Sequence, residues 1–304
     1  MDQTRADVSG LPAAAAVRTG RTGRRDRRWL AVLAGGVLVA VMQVVIQVGA
    51  ATPAAAMPGV LTTTAFSAKD STSVKGVSAD CPTGTRLIGG GATVDDGLAG
   101  QVRLTMSAPI LGISIRDYWE ARAREPATGF SGAWRLKVVA ICGPEPSGLE
   151  TVWTSVGTTG TFQAATVGCP AGKRVLSVGG GMAYSQTQEA ALQLVRPDGP
   201  LTLGRVTARR DNGSTNLWVL FIYVLCANPL PGQQNVAQVV NAADGYAYCP
   251  VGTSVIGTGG GGGLSDSGPY YLQTFMPLNN LSGSYAAMTG RPTSGTVIQA
   301  TCAN

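Results

Sequence analysis

Cys169-Pro170-Ala171-Gly172-Lys173-Arg174-Val175-Leu176-Ser177-Val178-Gly179-Gly180-Gly181 decides how this chain is read, because the phrase occurs three times. The other copies run from Cys81-Pro82-Thr83-Gly84 to Gly89-Gly90-Gly91 and from Cys249-Pro250-Val251-Gly252 to Gly259-Gly260-Gly261. Each copy is followed, at the end of an apolar segment, by one more cysteine: Cys142, Cys226 and Cys302. One supersecondary unit used three times must therefore account for the fold. The units are residues 57–146, 147–230 and 231–304.

Residues 1–56 stand apart from the repeat. Arg21, Arg24, Arg25, Arg27 and Arg28 precede an apolar stretch, 29–50, and small residues then lead to Ala54-Ala55-Ala56. Basic, apolar and small residues in that order read as a secretory signal. A retained anchor is the alternative, since about 20 apolar residues span a bilayer. The arginines loosely resemble a twin-arginine export signal. Either reading places the repeats outside the cytosol, secreted or held at the membrane through residues 29–50.

The leader also carries most of the charge. It holds seven arginines against three aspartates, four of the six net positive charges. The remaining sequence has 16 basic and 14 acidic side chains. A chain this close to neutral, with no basic stripe, lacks the electrostatic footprint of a nucleic-acid binder.

All six cysteines fall in the repeats, and an even count in an exported chain reads as a disulfide framework. Equivalent units should be closed equivalently, which predicts Cys81–Cys142, Cys169–Cys226 and Cys249–Cys302. The rival use, a zinc site, lacks a C-x-x-C spacing and any histidine. No metal or cofactor is expected.

The units read as β structure. In Trp134-Arg135-Leu136-Lys137-Val138-Val139-Ala140-Ile141-Cys142, apolar residues alternate with Arg135 and Lys137, the period-2 pattern of a half-buried strand. The matching stretch 217–226 is apolar on both faces, which marks the most buried strand. Further strands enter the glycines (86–88, 174–176, 254–256), end near Pro109, Pro200 and Pro277, and hold Tyr118 to Arg124, Arg205 to Arg210 and Tyr285 to Thr289. About four strands per unit make an all-β protein. One sheet per unit around a pseudo-threefold axis, a β-prism, suits the short connections; three small β-sandwiches on a string are the alternative. An isolated unit of this size would bury little surface.

The thrice-repeated Cys-Pro-x-Gly opening resembles the vitelline membrane outer layer protein family, which implies a threefold β-prism and says nothing of activity. The chain departs from that family around the later cysteines and in its longer units. Cys-Pro-x-Gly followed by Gly-Gly-Gly also resembles secreted proteins of high-GC bacteria, in keeping with the Ala- and Gly-rich leader.

The glycines themselves could suggest a phosphate loop, but no Gly-Lys-Ser/Thr follows any copy and no helix opens after them. Strand crowding near an axis is the better reading, since glycine permits bulges and close backbone approach. Without histidine there is no Ser-His-Asp or Cys-His arrangement. Asp95-Asp96 is the one adjacent acidic pair in the repeats, and followed by Gly97 it reads as turn chemistry rather than a hydrolase pair. The expectation is a protein that is not an enzyme.

The third unit breaks the pattern. Its charged side chains are Asp244, Asp266 and Arg291, yet it holds five of eight tyrosines and the longer run Gly259 to Gly263. Tyrosine, serine and glycine without charge compose neutral recognition surfaces. Tyr270, Tyr271, Tyr285 and Asp266 are the candidate binding residues; tyrosine's liking for strands is the competing explanation. Two functions follow as expectations: a lectin-like module for a neutral glycan, cell-envelope component or extracellular protein, or a structural, self-assembling envelope protein without a small ligand. Asn212-Gly213-Ser214 and Asn280-Leu281-Ser282 would accept glycans in a eukaryotic host.

Overall fold

The computed structural model describes residues 57–95, 102–112, 116–182, 190–210, 215–263 and 268–304. The leader, residues 1–56, lies outside them, as do Asp96, Asn212 and Asp266. The first unit contributes β1 (Leu61–Phe66), β2 (Val74–Asp80), β3 (Arg86–Asp95), β4 (Arg103–Ile110), β5 (Tyr118–Arg124) and β6 (Arg135–Gly143). The second contributes β7 (Glu150–Thr158), β8 (Phe162–Gly168), β9 (Arg174–Met182), β10 (Ala190–Pro197), β11 (Leu203–Arg210) and β12 (Trp218–Ala227). The third contributes β13 (Gln234–Val240), β14 (Asp244–Tyr248), β15 (Ser254–Gly261), β16 (Leu272–Pro277), β17 (Gly283–Met288) and β18 (Thr296–Ala303). No helix among the described residues is long and apolar enough to cross a membrane.

These strands form three six-stranded antiparallel sheets around a pseudo-threefold axis, a β-prism. The first has the order β1-β6-β3-β16-β17-β14, the second β2-β5-β4-β9-β12-β7 and the third β13-β18-β15-β10-β11-β8. Two expectations are corrected here. Among the described residues each unit has six strands rather than four, and no unit owns a sheet. Its first, sixth and third strands go to one sheet, and its fourth, fifth and second go to another. All eighteen strands lie in one compact unit, Ala50–Asn304, which excludes three sandwiches on a string.

The Cys-Pro-x-Gly phrase makes the turn between the second and third strands. Thr85, Lys173 and Thr253 N–H groups donate to the Pro82, Pro170 and Pro250 carbonyls at 3.0, 3.0 and 3.1 Å. The glycine before each donor has φ of +86°, +82° and +86°, a conformation that glycine adopts without penalty. The cysteine ahead of the turn then bonds to the closing cysteine as the repeat predicts: Cys81–Cys142, Cys169–Cys226 and Cys249–Cys302. Each bridge joins two different sheets, because the second and sixth strands of a unit never share one. Three disulfides are the mark of a chain matured in an oxidising environment.

At the axis β3, β9 and β15 come together, each bulged at one buried apolar residue: Ile88, Leu176 and Ile256. A Cβ on Gly89 would lie 2.1 Å from the Ile256 carbonyl oxygen, and one on Gly257 would lie 2.1 Å from that of Leu176. The place of these two glycines in the second unit is held by Ser177. The three triple glycines are therefore not superimposable: pairing with the sixth strand matches Gly91 with Gly179 and Gly259. Gly90 matches Val178 and Thr258, and the difference is filled from the fifth strands. Trp119 packs where a Gly90 Cβ would be, 2.5 Å from its ring, while Val178 faces Gly204. The buried indole N–H groups of Trp119, Trp134 and Trp218 each find an acceptor, Ser107 Oγ, Glu125 Oε1 and the Gly160 carbonyl, all at 2.8 Å.

Candidate binding surfaces on the three sheets

The two halves of every sheet meet along a short seam. Among the described residues, two ladder pairs each join β3 to β16, β9 to β4 and β15 to β10. One step along the seam stand Gly91, Gly179 and Gly259. A Cβ on Gly91 would sit 2.1 Å from the Phe275 oxygen; on Gly179, 2.6 Å from the Ala108 Cα; on Gly259, 2.9 Å from the Val195 oxygen. Each sheet is thus folded toward that face, and a trough with a glycine floor runs between its two wings. This is strand crowding, as the sequence suggests, but it also makes three equivalent concave surfaces.

Register gives the residues that cross each trough. The first sheet reads Thr64, Val139, Gly91, Met276, Tyr285 and Tyr246. The second reads Trp153, Tyr223, Gly179, Ala108, Glu120 and Ser78. The third reads Ala237, Gln299, Gly259, Arg196, Arg205 and Thr166. One scaffold carries three chemistries.

On the first sheet Tyr246 packs against Tyr285, with ring centroids 4.9 Å apart, and stacks on Tyr248 at 6.0 Å. The Tyr285 hydroxyl donates to Asp244 Oδ2 at 3.1 Å. Burial first, then that carboxylate, push the Tyr285 phenol up to about 12. Its neutral form is held in the folded chain, so the stability it contributes is present below pH 10 and is lost as pH rises through 12. Spectrophotometric titration should show one tyrosine ionising near pH 12, and Asp244→Asn should move it part of the way back toward 10. A late phase unaltered in that variant would refute the assignment.

Of the residues singled out in the sequence, Tyr285 lies on this surface. Tyr270 and Tyr271 do not: they are 5% and 3% exposed. The Tyr270 ring fills the space that Gly262 and Gly268 leave, with a Gly262 Cβ falling 2.4 Å from it. The long glycine run of the third unit therefore seats a core tyrosine. The Arg103 guanidinium covers the Tyr271 ring at 4.3 Å. Both tyrosines are core residues, so their joint removal would unfold rather than blind a surface. Asp95 ends β3 in an ion pair with Arg135, 2.7 Å.

The second sheet holds what the sequence reading missed. Trp153 lies 6.4 Å from Tyr223 and 6.5 Å from Phe221, and those two rings are 6.4 Å apart with 17° between their planes. Across the glycine floor Glu120 accepts from Arg122 Nε and Nη2 at 2.8 and 2.6 Å. Burial and the Glu120 carboxylate both raise the Tyr223 phenol, which keeps its hydroxyl a donor. Alternation in 217–226 could not reveal this cluster, since it depends on which residue of β7 lies opposite Tyr223.

The third sheet carries a cleft of about 200 Å³ lined by Arg196, Pro197, Asp198, Leu203, Arg205 and Gln299. The chain matches no known family model, and no curated protein is significantly similar to it.

Proposed function

We propose that the protein is an extracytoplasmic binding module that takes a neutral glycan, or a neutral polymer of the cell envelope, on the aromatic wing of its second sheet. The observation that carries this reading is Trp153. The other tryptophans among the described residues are at most 1% exposed, whereas Trp153 is 60% exposed and forms a triangular cluster with two further rings. Exposing a tryptophan forfeits its burial, and an aromatic cluster beside polar groups supplies an apolar platform with hydrogen-bonding edges. Sugar rings, apolar on their faces and polar at their rims, match that combination. The Tyr223 hydroxyl supplies a donor beside the rings, and the Glu120–Arg122 pair supplies donors and acceptors on the opposite wall.

Trp153→Ala is expected to weaken binding to a glycan array or cell-wall polysaccharide about 30-fold, the loss of about 2 kcal/mol typical of an aromatic anchor. Its melting temperature should stay close to wild type, because the side chain lies on an edge strand. Saturable binding that survives the substitution would overturn the reading. Sedimentation tests the competing function: self-association abolished by Trp153→Ala, with no sugar binding, would assign the cluster to assembly.

A further inference from the structure

We propose that the cleft on the third sheet is a binding site for a tetrahedral oxyanion, a phosphate or sulfate group, held between Arg196 and Arg205. The two arginines are direct cross-strand partners on β10 and β11. Like charges so placed destabilise a sheet unless something compensates them. Neither guanidinium makes an ion pair or hydrogen bond among the described residues, though most other cations do. Burial, and next the charge of Arg205, hold the Arg196 guanidinium below its ordinary pKa.

The nearest carboxylate does not serve as the counter-charge. Asp198 accepts from the Thr202 N–H at 2.6 Å, the Leu203 N–H at 3.1 Å and the Thr202 hydroxyl at 2.6 Å, so its oxygens are turned into their own loop. The floor of the cleft supplies a neutral group instead. Gln299 is 3% exposed, and its Oε1 is buried without a partner. No hydrogen bond fixes that amide, so Nε2 is free to turn toward an anion.

The fold does not require the arginine pair. The same two positions are Ala108 and Glu120 on the second sheet, and Met276 and Tyr285 on the first. Two adjacent guanidinium forks and an amide converging on a concavity are the donor set for a multiply charged oxyanion. This site is separate from the aromatic cluster and does not depend on the glycan reading.

The test is calorimetric titration of the full chain with sodium phosphate and sodium sulfate at constant ionic strength, with chloride as reference. Saturable binding with a rise in melting temperature is expected, weakened at least tenfold in Arg196→Gln and in Arg205→Gln. Without anion, Arg205→Gln should melt at or above the wild-type temperature, since it removes a like-charge pair; this separates a binding role from a structural one. A parallel titration with dimethyl phosphate distinguishes a diester-linked polymer from a free or terminal phosphate, and binding of either supports the site. A response equal to that of chloride, or one unchanged in both variants, would overturn the proposal.

Discussion

Gly257→Ala is expected to destabilise the protein by about 3 kcal/mol or more, the upper range for forcing extra atoms into a packed interior, and to lower its melting temperature by about 10 °C. The new methyl would have to occupy a place 2.1 Å from the Leu176 carbonyl oxygen. That oxygen belongs to the backbone of another sheet, so no side-chain rotation relieves the contact. Gly89→Ala meets the Ile256 oxygen in the same way and should behave alike. Ser177, at the corresponding place in the second unit, supplies the contrast. Its hydroxyl is buried without a partner, so Ser177→Gly trades an unsatisfied group, worth about 1–3 kcal/mol, against a small loss of backbone rigidity. It should be tolerated. Gly199→Ala is the control, with nothing within 4 Å of the added carbon. Thermal melts of the four variants decide the matter; a Gly257→Ala protein melting with wild type would show that the strands do not crowd as described.

Removing a disulfide should cost a comparable amount. Cys169→Ala with Cys226→Ala opens a loop of 57 residues, for which the loss is about 2–5 kcal/mol. The bridge ties the end of β8, in the third sheet, to β12 in the second, so its loss frees a corner between sheets as well as a loop. Denaturant titration of the double variant checks the magnitude. Cys142, Cys226 and Cys302 are all fully buried. Cys81 is buried as well, whereas Cys169 and Cys249 are half-buried, so reduction of the Cys81–Cys142 bridge under native conditions should await opening of the fold and proceed at the rate of unfolding. Fast reduction of that bridge in the folded state would contradict this packing.

The fold class, the pseudo-threefold arrangement and all three bridges were legible in the sequence because repetition constrains them jointly. The strand count was not. The six strands missed, β1, β2, β7, β8, β13 and β14, are the six edge strands of the three sheets. Edges bury little on either side, so segments such as Leu61-Thr62-Thr63-Thr64 and Gln234-Asn235-Val236 carry no strong apolar alternation. A second repeated turn offered a clue: Gly59, Gly148 and Gly232, with φ of +80°, +71° and +63°, open the three units just before those strands. The candidate sites were hidden for a related reason. Trp153 sits on a missed edge strand, and Arg196 and Arg205 acquire meaning only once β10 and β11 are aligned. Tyrosine composition pointed to the third unit, but composition cannot separate Tyr285, on a surface, from Tyr270, under a loop of glycines.

The division of every unit between two sheets has an evolutionary consequence. In an open array, copies can be gained or lost at the ends, because each touches only its neighbours. Here the third unit's outgoing strands complete the first sheet, so the series closes on itself. Deleting one copy would leave two half-sheets unpaired, and a fourth would find no seam to join. Copy number is fixed at three by topology, and a gene encoding a single unit could satisfy the same pairings only as a homotrimer. The three copies are then free to diverge in their troughs but not in number.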